Sequence, residues 1–212
     1  MKSSVELLWI TPEPEEMIAL SARVSSQYRD NPDYTGLFRY LLDHKHWSPF
    51  EMASACVEIV TTRAVSAQLV RHRSFSFQES SQRYQECPGF FLTPARRQDL
   101  ENRQNSVDDL DDATQMEWRH HQEMAHDASA RAYQWALDKG IARECARSVL
   151  PMSSCTRICM SGSIRSWIHY LDVRCAPETQ AEHRDVARAV RELLAFHLPV
   201  TSEILGWELP EG

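Results

Sequence analysis

The sequence predicts an α+β protein that forms a single domain. Segments with the 3.6-residue apolar period of helices outnumber runs rich in β-branched residues, which are typical of strands. The chain has 212 residues, 42% of them hydrophobic, and this length is sufficient to bury one core. Because it contains neither an internal repeat nor a low-complexity linker, we expect one domain over residues 1–212.

The first part of the chain predicts one strand followed by two helices. Residues 3–10 (SSVELLWI) have the composition of a short opening strand. Pro14 then introduces a helix over residues 15–25, because proline is favoured in a first turn and apolar residues follow at helical spacing. A second helix is predicted over residues 35–43. The step Ser48-Pro49 prevents its continuation, since a residue before proline disfavours helical geometry.

The middle of the chain predicts a core strand, a short helix and a loop. Residues 53–62 (ASACVEIVTT) are rich in β-branched residues and indicate a buried or half-buried strand. Residues 64–70 indicate a short helix, so residues 71–84 are expected to form an irregular loop, as functional segments often do. Pro88-Gly89 predicts a turn, and residues 90–92 predict a short strand.

The remaining elements are mostly helices. Residues 94–112 are the most polar stretch and begin without an apolar period. Apolar residues about four apart predict a long helix from about Ala113 to Lys139, which Gly140 ends. Four further elements are predicted: a helix over 141–150, a strand over 156–161, and helices over 164–173 and 178–196.

The charge composition argues against a general nucleic-acid binder. The formal net charge is −7, whereas nucleic-acid binders present a broad basic surface. Only three of the 23 basic residues are lysines, so 20 are arginines. This bias permits several arginines to converge on phosphate groups in one pocket.

The six cysteines indicate a reducing compartment. They are scattered at positions 56, 87, 145, 155, 159 and 175, without the spacing of a zinc site, so we expect no metal. Thiols without a disulfide framework are typical of small apolar core residues in such compartments. The sequence begins without an apolar signal core and contains no apolar run long enough to span a bilayer. We therefore expect a cytoplasmic protein that binds no membrane.

The segment from Arg71 to Tyr84 carries the strongest functional signal. It combines arginines, a histidine, hydroxyls, amides and one carboxylate. Arginine binds phosphate oxygens bidentately, and serine adds neutral donors. A solvated basic loop is the plain alternative, but such a loop has no use for this mixture of donors and acceptors. The segment therefore predicts a nucleotide-phosphate site.

The same segment resembles the signature of the flavin-dependent thymidylate synthases. Arg71-His72-Arg73 is followed by seven residues and then Ser81, which matches that signature. The resemblance extends, in the family's order, to three further segments: 46–51 (HWSPFE), 142–151 (ARECARSVLP) and 163–174 (SIRSWIHYLDVR). It covers residues from about 44 to 180, which is most of the chain.

The resemblance implies a reaction, a set of cofactors and an assembly. Members of this family make dTMP from dUMP, with methylenetetrahydrofolate as one-carbon donor and FAD, reduced by NADPH, as hydride source. The family implies an α+β fold with a mixed sheet packed against several helices, some of them long. It also implies a homotetramer in which subunits share active sites.

The resemblance also assigns roles to individual residues. Arg174 would act in catalysis, because a fixed guanidinium beside the uracil ring stabilises the charge that develops there. The expected flavin contacts are Ser48, Arg71, His72, Arg73, Glu79, Ser163, Arg165 and His169. The expected dUMP contacts are Gln68, Arg71, Glu79, Ser81, Gln82, Arg83, Arg147 and Arg174.

Four positions depart from the family pattern. Gln78, Ser163 and His169 stand where asparagine is common, and Met52 replaces a common histidine.

Two other functions remain as alternatives. One alternative is a non-catalytic nucleotide- or flavin-binding module that retains the phosphate site. Another is an RNA-binding protein that stacks bases on aromatic side chains of the 71–84 segment, which the acidity of the chain disfavours.

Overall fold

A four-stranded antiparallel sheet lies at the centre of the fold. The computed structural model describes residues 2–29 and 31–207. Its strands, in chain order, are β1 (Ser4–Ile10), β2 (Ser54–Thr62), β3 (Ser76–Glu79), β4 (Arg97–Gln98), β5 (Ser106–Val107) and β6 (Cys155–Ser163). The sheet has the order β1-β2-β6-β3, and β4 pairs with β5 in a separate two-stranded hairpin. All of these pairings are antiparallel.

The alternation of side-chain direction along the two central strands, β2 and β6, produces the apolar face of the sheet. Val57 pairs with Met160 and Ile59 pairs with Ile158, and all four side chains are fully buried. Successive side chains of a strand point to opposite faces, so this register directs one continuous apolar row toward the helices. Phe77 of the short strand β3 also pairs with Met160, which attaches the 71–84 segment to the core sheet.

Helices cover this face and extend from it. They are α1 (Pro14–Ala22), α2 (Thr35–Asp43), α3 (Arg63–Leu69), α4 (Asp112–Asp138), α5 (Arg143–Ala146), α6 (Ile164–Arg174), α7 (Ala181–His197) and α8 (Pro199–Leu205), with 3₁₀ turns at Ser48–Glu51 and Arg147–Val149. Side-chain oxygens of Thr62, Asp111 and Ser163 cap the N-termini of α3, α4 and α6. Such caps satisfy amide groups that have no partner within the helix.

The core lies between the sheet and helices α6 and α7. Trp167, Tyr170 and Leu171 of α6 are almost completely buried, and the Trp167 indole donates to the Ala55 carbonyl at 3.2 Å. The long helix α4 differs, because Tyr133 and Ala136 are the only buried residues described in it. It packs on a small second cluster rather than on the main core.

The α+β class and several predicted elements are confirmed. The second helix has the predicted bounds, 35–43, and the central strand, the short helix after it and the long helix each begin and end within a few residues of expectation.

The six cysteines are free thiols. Within residues 2–29 and 31–207, we find no helix long and apolar enough to cross a bilayer and no group of three or more His, Cys, Asp or Glu placed to hold a metal.

Other predictions were wrong, mostly where pairing is short or distant in sequence. The expected irregular loop contains β3, and the expected mixed sheet is antiparallel throughout. The first helix ends at Ala22 rather than at residue 25. The predicted strand at 90–92 is reduced to an isolated bridge between Phe90 and Ser154. The predicted helix 141–150 divides into α5 and a 3₁₀ turn, and α8 was not predicted.

Candidate functional site

Arg174 and His72 meet at the end of α6, although 102 positions separate them in the chain. Arg174 Nε donates to His72 Nε2 at 2.8 Å. Burial, with the neighbouring Arg174 and His169, lowers the pKa of His72 to about 4. The imidazole is therefore neutral at neutral pH and accepts through Nε2. The buried Tyr170 ring packs against it at nearly a right angle, with centroids 5.0 Å apart, so the guanidinium is held by a rigid partner.

Glu79 is anchored at the end of β3 through one of its two carboxylate oxygens. Its Oε1 accepts from Ser66 Oγ at 2.7 Å and from Thr156 Oγ1 at 2.9 Å, and it lies 3.0 Å from Arg63 Nη1. Its Oε2 has no hydrogen-bond partner among the described residues. Because the first oxygen is held by three donors, the second can accept from a ligand without loss of orientation.

The residues after β3 form a polar loop above a small cavity. Ser81 and Gln82 line this cavity of about 160 Å³ together with Arg63 and Arg157. The Ser81 carbonyl accepts from the two amides at positions 84 and 85, both at 3.0 Å, which closes a tight turn. Arg83 extends from this turn to within 3.1 Å of a carboxylate oxygen of Glu144. Two of the segments that resemble the family thus contact each other here.

A larger cleft of about 850 Å³ lies beside α6. Arg165 and His169 line it with Trp47, and Arg165 forms an ion pair with Glu51, which also lines the cleft. The cleft extends past Cys175 to the helical C-terminal part of the chain. Its size matches that of sites that hold cofactors, and its charged rim provides donors for an anionic ligand.

Two of the expected flavin contacts lie near this cleft without lining it. Ser48 is exposed at the start of a 3₁₀ turn, next to the lining residue Trp47. Ser163 accepts from the Ser166 amide at 3.3 Å and so caps the N-terminus of α6. That capping role accounts for a hydroxyl at this position, since serine is among the preferred N-cap residues.

Three predicted arginines have exposed side chains, although the Arg71 amide donates to the Gln68 carbonyl at 3.3 Å. Arg71, Arg73 and Arg147 are exposed, and none forms an ion pair with a carboxylate of residues 2–29 or 31–207. Gln68, by contrast, is half-buried and bonded on both sides of its amide.

The sequence alone did not identify several residues that support the site. Ser66 and Arg63 anchor Glu79, and His183 contacts Gln68. From the sequence, His183 is indistinguishable from the other helical histidines by ligand spacing. Its position on the apolar face of α7, three residues before the buried Val186, is the signal that could have identified it.

Fold and site together define a class of α+β protein with a cleft beside α6 that is lined by the cations Lys45, Arg165 and Arg191. The family model described as "Thymidylate synthase complementing protein" matches residues 6–200. A flavin-dependent thymidylate synthase of Synechocystis sp. is 49% identical over 194 residues, covering 92% of this chain and 90% of the relative. The chain therefore belongs to the family of flavin-dependent thymidylate synthases.

Further relatives agree in sequence and in structure. A probable flavin-dependent thymidylate synthase of Paramecium bursaria Chlorella virus 1 is 46% identical over 199 residues, covering 91% of each chain. The crystal structure of the UMP/dUMP methylase PolB from Streptomyces cacaoi, bound with 5-Br UMP, matches with a TM-score of 0.87 and 29% identity. That match covers 97% of this chain and 94% of the other. The same enzyme bound with 5-Br dUMP matches with a TM-score of 0.86 and 28% identity, covering 97% of this chain and 95% of the other.

Proposed function

We propose that this protein is an enzyme that catalyses the reductive methylation of dUMP to dTMP. Methylenetetrahydrofolate is the one-carbon donor, and FAD, reduced by NADPH, is the hydride source. The family membership supports this reaction, as does the dUMP analogue bound to a similar structure. The observation that carries the proposal is the hydrogen bond from Arg174 to a neutral His72, which holds the Arg174 guanidinium in one orientation.

Arg174 is proposed to stabilise charge on the uracil ring. Uracil attacks the methylene carbon poorly until negative charge on its ring is stabilised. Arg174 donates to His72 through Nε, and neither of its Nη atoms is hydrogen-bonded to a described residue. Both Nη groups are therefore available to a carbonyl edge. Arginine keeps its charge throughout, and preorganised donors of this kind act where charge develops in the transition state.

The residues around the 850 Å³ cleft fit a flavin dinucleotide. The cleft carries the cations Lys45, Arg165 and Arg191 for phosphate oxygens, and it offers the Trp47 ring for a planar group. When bound, the flavin supplies the hydride for the reaction. The chain contributes Arg165 and His169 as donors at the rim and excludes water with the apolar wall of α6. We assign Ser48, Ser163, Arg71, His72, Arg73 and Glu79 to the same cofactor, as the family resemblance implies.

The polar loop after β3 is proposed to bind dUMP. Ser81, Gln82 and Arg83 would hold the phosphate, since Ser81 and Gln82 line the small cavity and Arg83 follows them in the same turn with an exposed guanidinium. Glu79 would accept from a ligand N–H through its free Oε2. Gln68 and Arg174 would contact the base. Arg71 and Arg147 would complete the phosphate site.

We also propose that the enzyme is a homotetramer that shares active sites between subunits. The exposure of Arg71 and Arg147 supports sharing, because in one chain they lack carboxylate partners among the described residues. The helix α4 supports assembly, since Met116, Trp118 and Trp135 are 67%, 44% and 58% exposed. Light scattering of the purified protein should give the mass of four chains.

A cytoplasmic location is proposed from the thiol content. The six cysteines are free, and Cys145 is the exposed one among them. Free thiols persist in reducing compartments. Oxidation-state mapping of the protein taken directly from cells should find all six reduced.

One assay tests the reaction directly. Purified protein should show the absorbance bands of bound flavin and release tritium from 5-tritiated dUMP only when methylenetetrahydrofolate and NADPH are both present. Arg174→Ala should lower kcat by about 100- to 1,000-fold, as removal of a preorganised donor does elsewhere. Arg39→Ala is the matched control, because Arg39 is an exposed arginine of α2 with no ion-pair partner among the described residues. It should retain wild-type turnover.

Two outcomes contradict the proposal. A colourless protein that binds no added FAD excludes a flavoenzyme. A protein that binds FAD and dUMP but releases no tritium is a nucleotide-binding module instead, and in that case Arg174→Ala has no turnover to remove.

A further inference from the structure

A line of polar side chains connects Arg96 to the buried His183 through the Gln68 amide. Arg96 Nη2 lies 2.5 Å from Glu182 Oε1, and Glu182 Oε2 accepts from Gln180 Nε2 at 2.8 Å. Gln180 Oε1 accepts from Gln68 Nε2 at 2.6 Å. Gln68 Oε1 then lies 3.1 Å from His183 Nδ1. The line joins the segment before α4, the start of α7 and the end of α3.

The charged end of this line determines how both amides are oriented. A carboxylate only accepts hydrogen bonds, so Gln180 turns its nitrogen toward Glu182 and its oxygen toward Gln68. Gln68 must then donate to Gln180, which leaves its own oxygen facing His183. Although burial opposes ionisation, hydrogen bonds from Arg96 and Gln180 hold the pKa of Glu182 below its ordinary value. The carboxylate is therefore present at neutral pH.

His183 completes the arrangement as a neutral ring with its proton on Nδ1. Because Gln68 presents an oxygen, Nδ1 donates, and Nε2 accepts from the Tyr170 hydroxyl at 3.2 Å. His183 is 0% exposed, and burial, with the nearby Arg174, lowers its pKa to about 3. A neutral imidazole has one donor and one acceptor, and both are used.

We propose that His183 is a positioning residue that acts together with Glu182 and Gln180: it closes the far end of the line and so holds the Gln68 carboxamide in the orientation required to contact dUMP. The inference rests on the proposed function, in which Gln68 contacts the base beside Arg174. The Gln68 nitrogen retains a second N–H and its oxygen a second lone pair, and these are the groups that can face a ligand. An unrestrained amide samples both orientations, whereas the restrained one presents donor and acceptor on fixed sides.

Three substitutions at position 183 separate positioning from packing. His183→Asn retains a donor near Nδ1, His183→Gln places a nitrogen near Nε2 instead, and His183→Leu removes both. We expect the dissociation constant for dUMP, measured by flavin absorbance on the FAD-loaded protein, to stay near wild type in the Asn variant. It should rise about three- to tenfold in the Gln and Leu variants, as expected for loss of one hydrogen bond. KM for dUMP should rise with it, and kcat should change less.

If His183 served only in packing, the variants would follow a different order of dUMP affinity. Affinity would then follow the thermal stability of the variants, and an apolar leucine would be tolerated better than a polar amide. An Asn variant that binds dUMP as weakly as the Leu variant overturns the inference, as do three variants that all bind like wild type. Where a position-183 variant does not fold, Glu182→Gln tests the partly exposed end of the same line. Its dUMP affinity should fall, and an unchanged affinity contradicts the proposal.

A double substitution distinguishes this inference from the proposed function. In a Gln68→Ala background, adding His183→Gln should cause no further loss of dUMP affinity, because the group it positions is absent. Additive losses overturn the positioning role. A wild-type protein that binds no dUMP refutes the proposed function itself. A wild-type protein that turns over dUMP, with Gln68→Ala weakened but all His183 variants unaffected, refutes the positioning role alone.

Discussion

Gly162 of β6 should not tolerate a side chain, because the Phe75 ring packs directly on its backbone. A Cβ at Gly162 would lie 2.5 Å from Cδ1 and 2.8 Å from Cε1 of Phe75. Carbon atoms in contact prefer about 3.5–4.0 Å, so the ring would have to move by about 1 Å. Its retreat is limited by Trp167, which is fully buried with its ring centroid 4.7 Å from that of Phe75. Gly162→Ala should therefore destabilise the protein by about 1–3 kcal/mol, as overpacking does in other cores.

The same displacement should reach the candidate site. The Phe75 amide donates to the His72 carbonyl at 3.1 Å, and His72 orients Arg174. Movement of the ring therefore shifts the imidazole that holds the guanidinium. We expect tritium release by Gly162→Ala to fall at a temperature where the variant is still folded.

Urea unfolding, followed by circular dichroism, measures the stability effect against a matched glycine. A Cβ at Gly36 in α2 meets nothing within 4 Å. Gly36→Ala should therefore be neutral or stabilise the protein by up to about 1 kcal/mol, since glycine disfavours helix. Phe75→Leu should cost less in the Gly162→Ala background than in wild type, because the smaller side chain relieves the clash. Coincident midpoints for Gly162→Ala and wild type would refute the argument, and so would additive effects of Gly162→Ala and Phe75→Leu.

Three further outcomes follow from buried or paired groups. Burial lowers the pKa of His72 to about 4 and that of His183 to about 3, whereas a histidine in the unfolded chain has a pKa of about 6.5. The unfolded chain therefore binds more protons, and the urea midpoint should fall as the pH drops from about 6.5 to about 4. A midpoint that does not change with pH contradicts this prediction. Glu15→Ala should cost about 2–3 kcal/mol in urea unfolding, because this buried carboxylate accepts from the Thr201 amide and hydroxyl at 2.7 and 2.8 Å. Arg83→Ala should change the free energy of unfolding by less than about 0.5 kcal/mol, since its ion pair with Glu144 is exposed. The same substitution should raise KM for dUMP. An unchanged KM would show that Arg83 does not belong to the phosphate site.

Elements that depend on local signals were predictable from the sequence. The helix Thr35–Asp43 has its apolar residues on one face and is interrupted by a Ser-Pro step, and its predicted and observed bounds coincide. The strand Ser54–Thr62 is buried on both faces along much of its length, and a run of β-branched residues predicts a strand in that environment. In both cases the residues that determine the element lie within it.

Elements that depend on distant partners were not predictable in the same way. The strand Ser76–Glu79 has only four residues and alternates between exposed and half-buried side chains. It is regular because β6, about 80 residues later, pairs with it, and no local pattern carries that information. The helix Pro199–Leu205 was missed for a local reason. Proline ends a preceding helix but is also favoured in the first turn of the next, and here it does both.

The candidate site follows the same division between local and distant information. The residue types of the segment from Arg71 to Tyr84 are enough to predict anion binding, so this part of the site could be predicted from a sequence motif. The state of its histidine cannot be predicted in this way. His72 accepts from Arg174 because α6 packs on the sheet and brings position 174 within 2.8 Å of it, and burial then keeps the imidazole neutral. A protonated His72 would repel the guanidinium it now holds. The chemistry of the motif therefore depends on the packing of a helix about a hundred residues away, and the Gly162→Ala substitution tests that packing through Phe75 and Trp167.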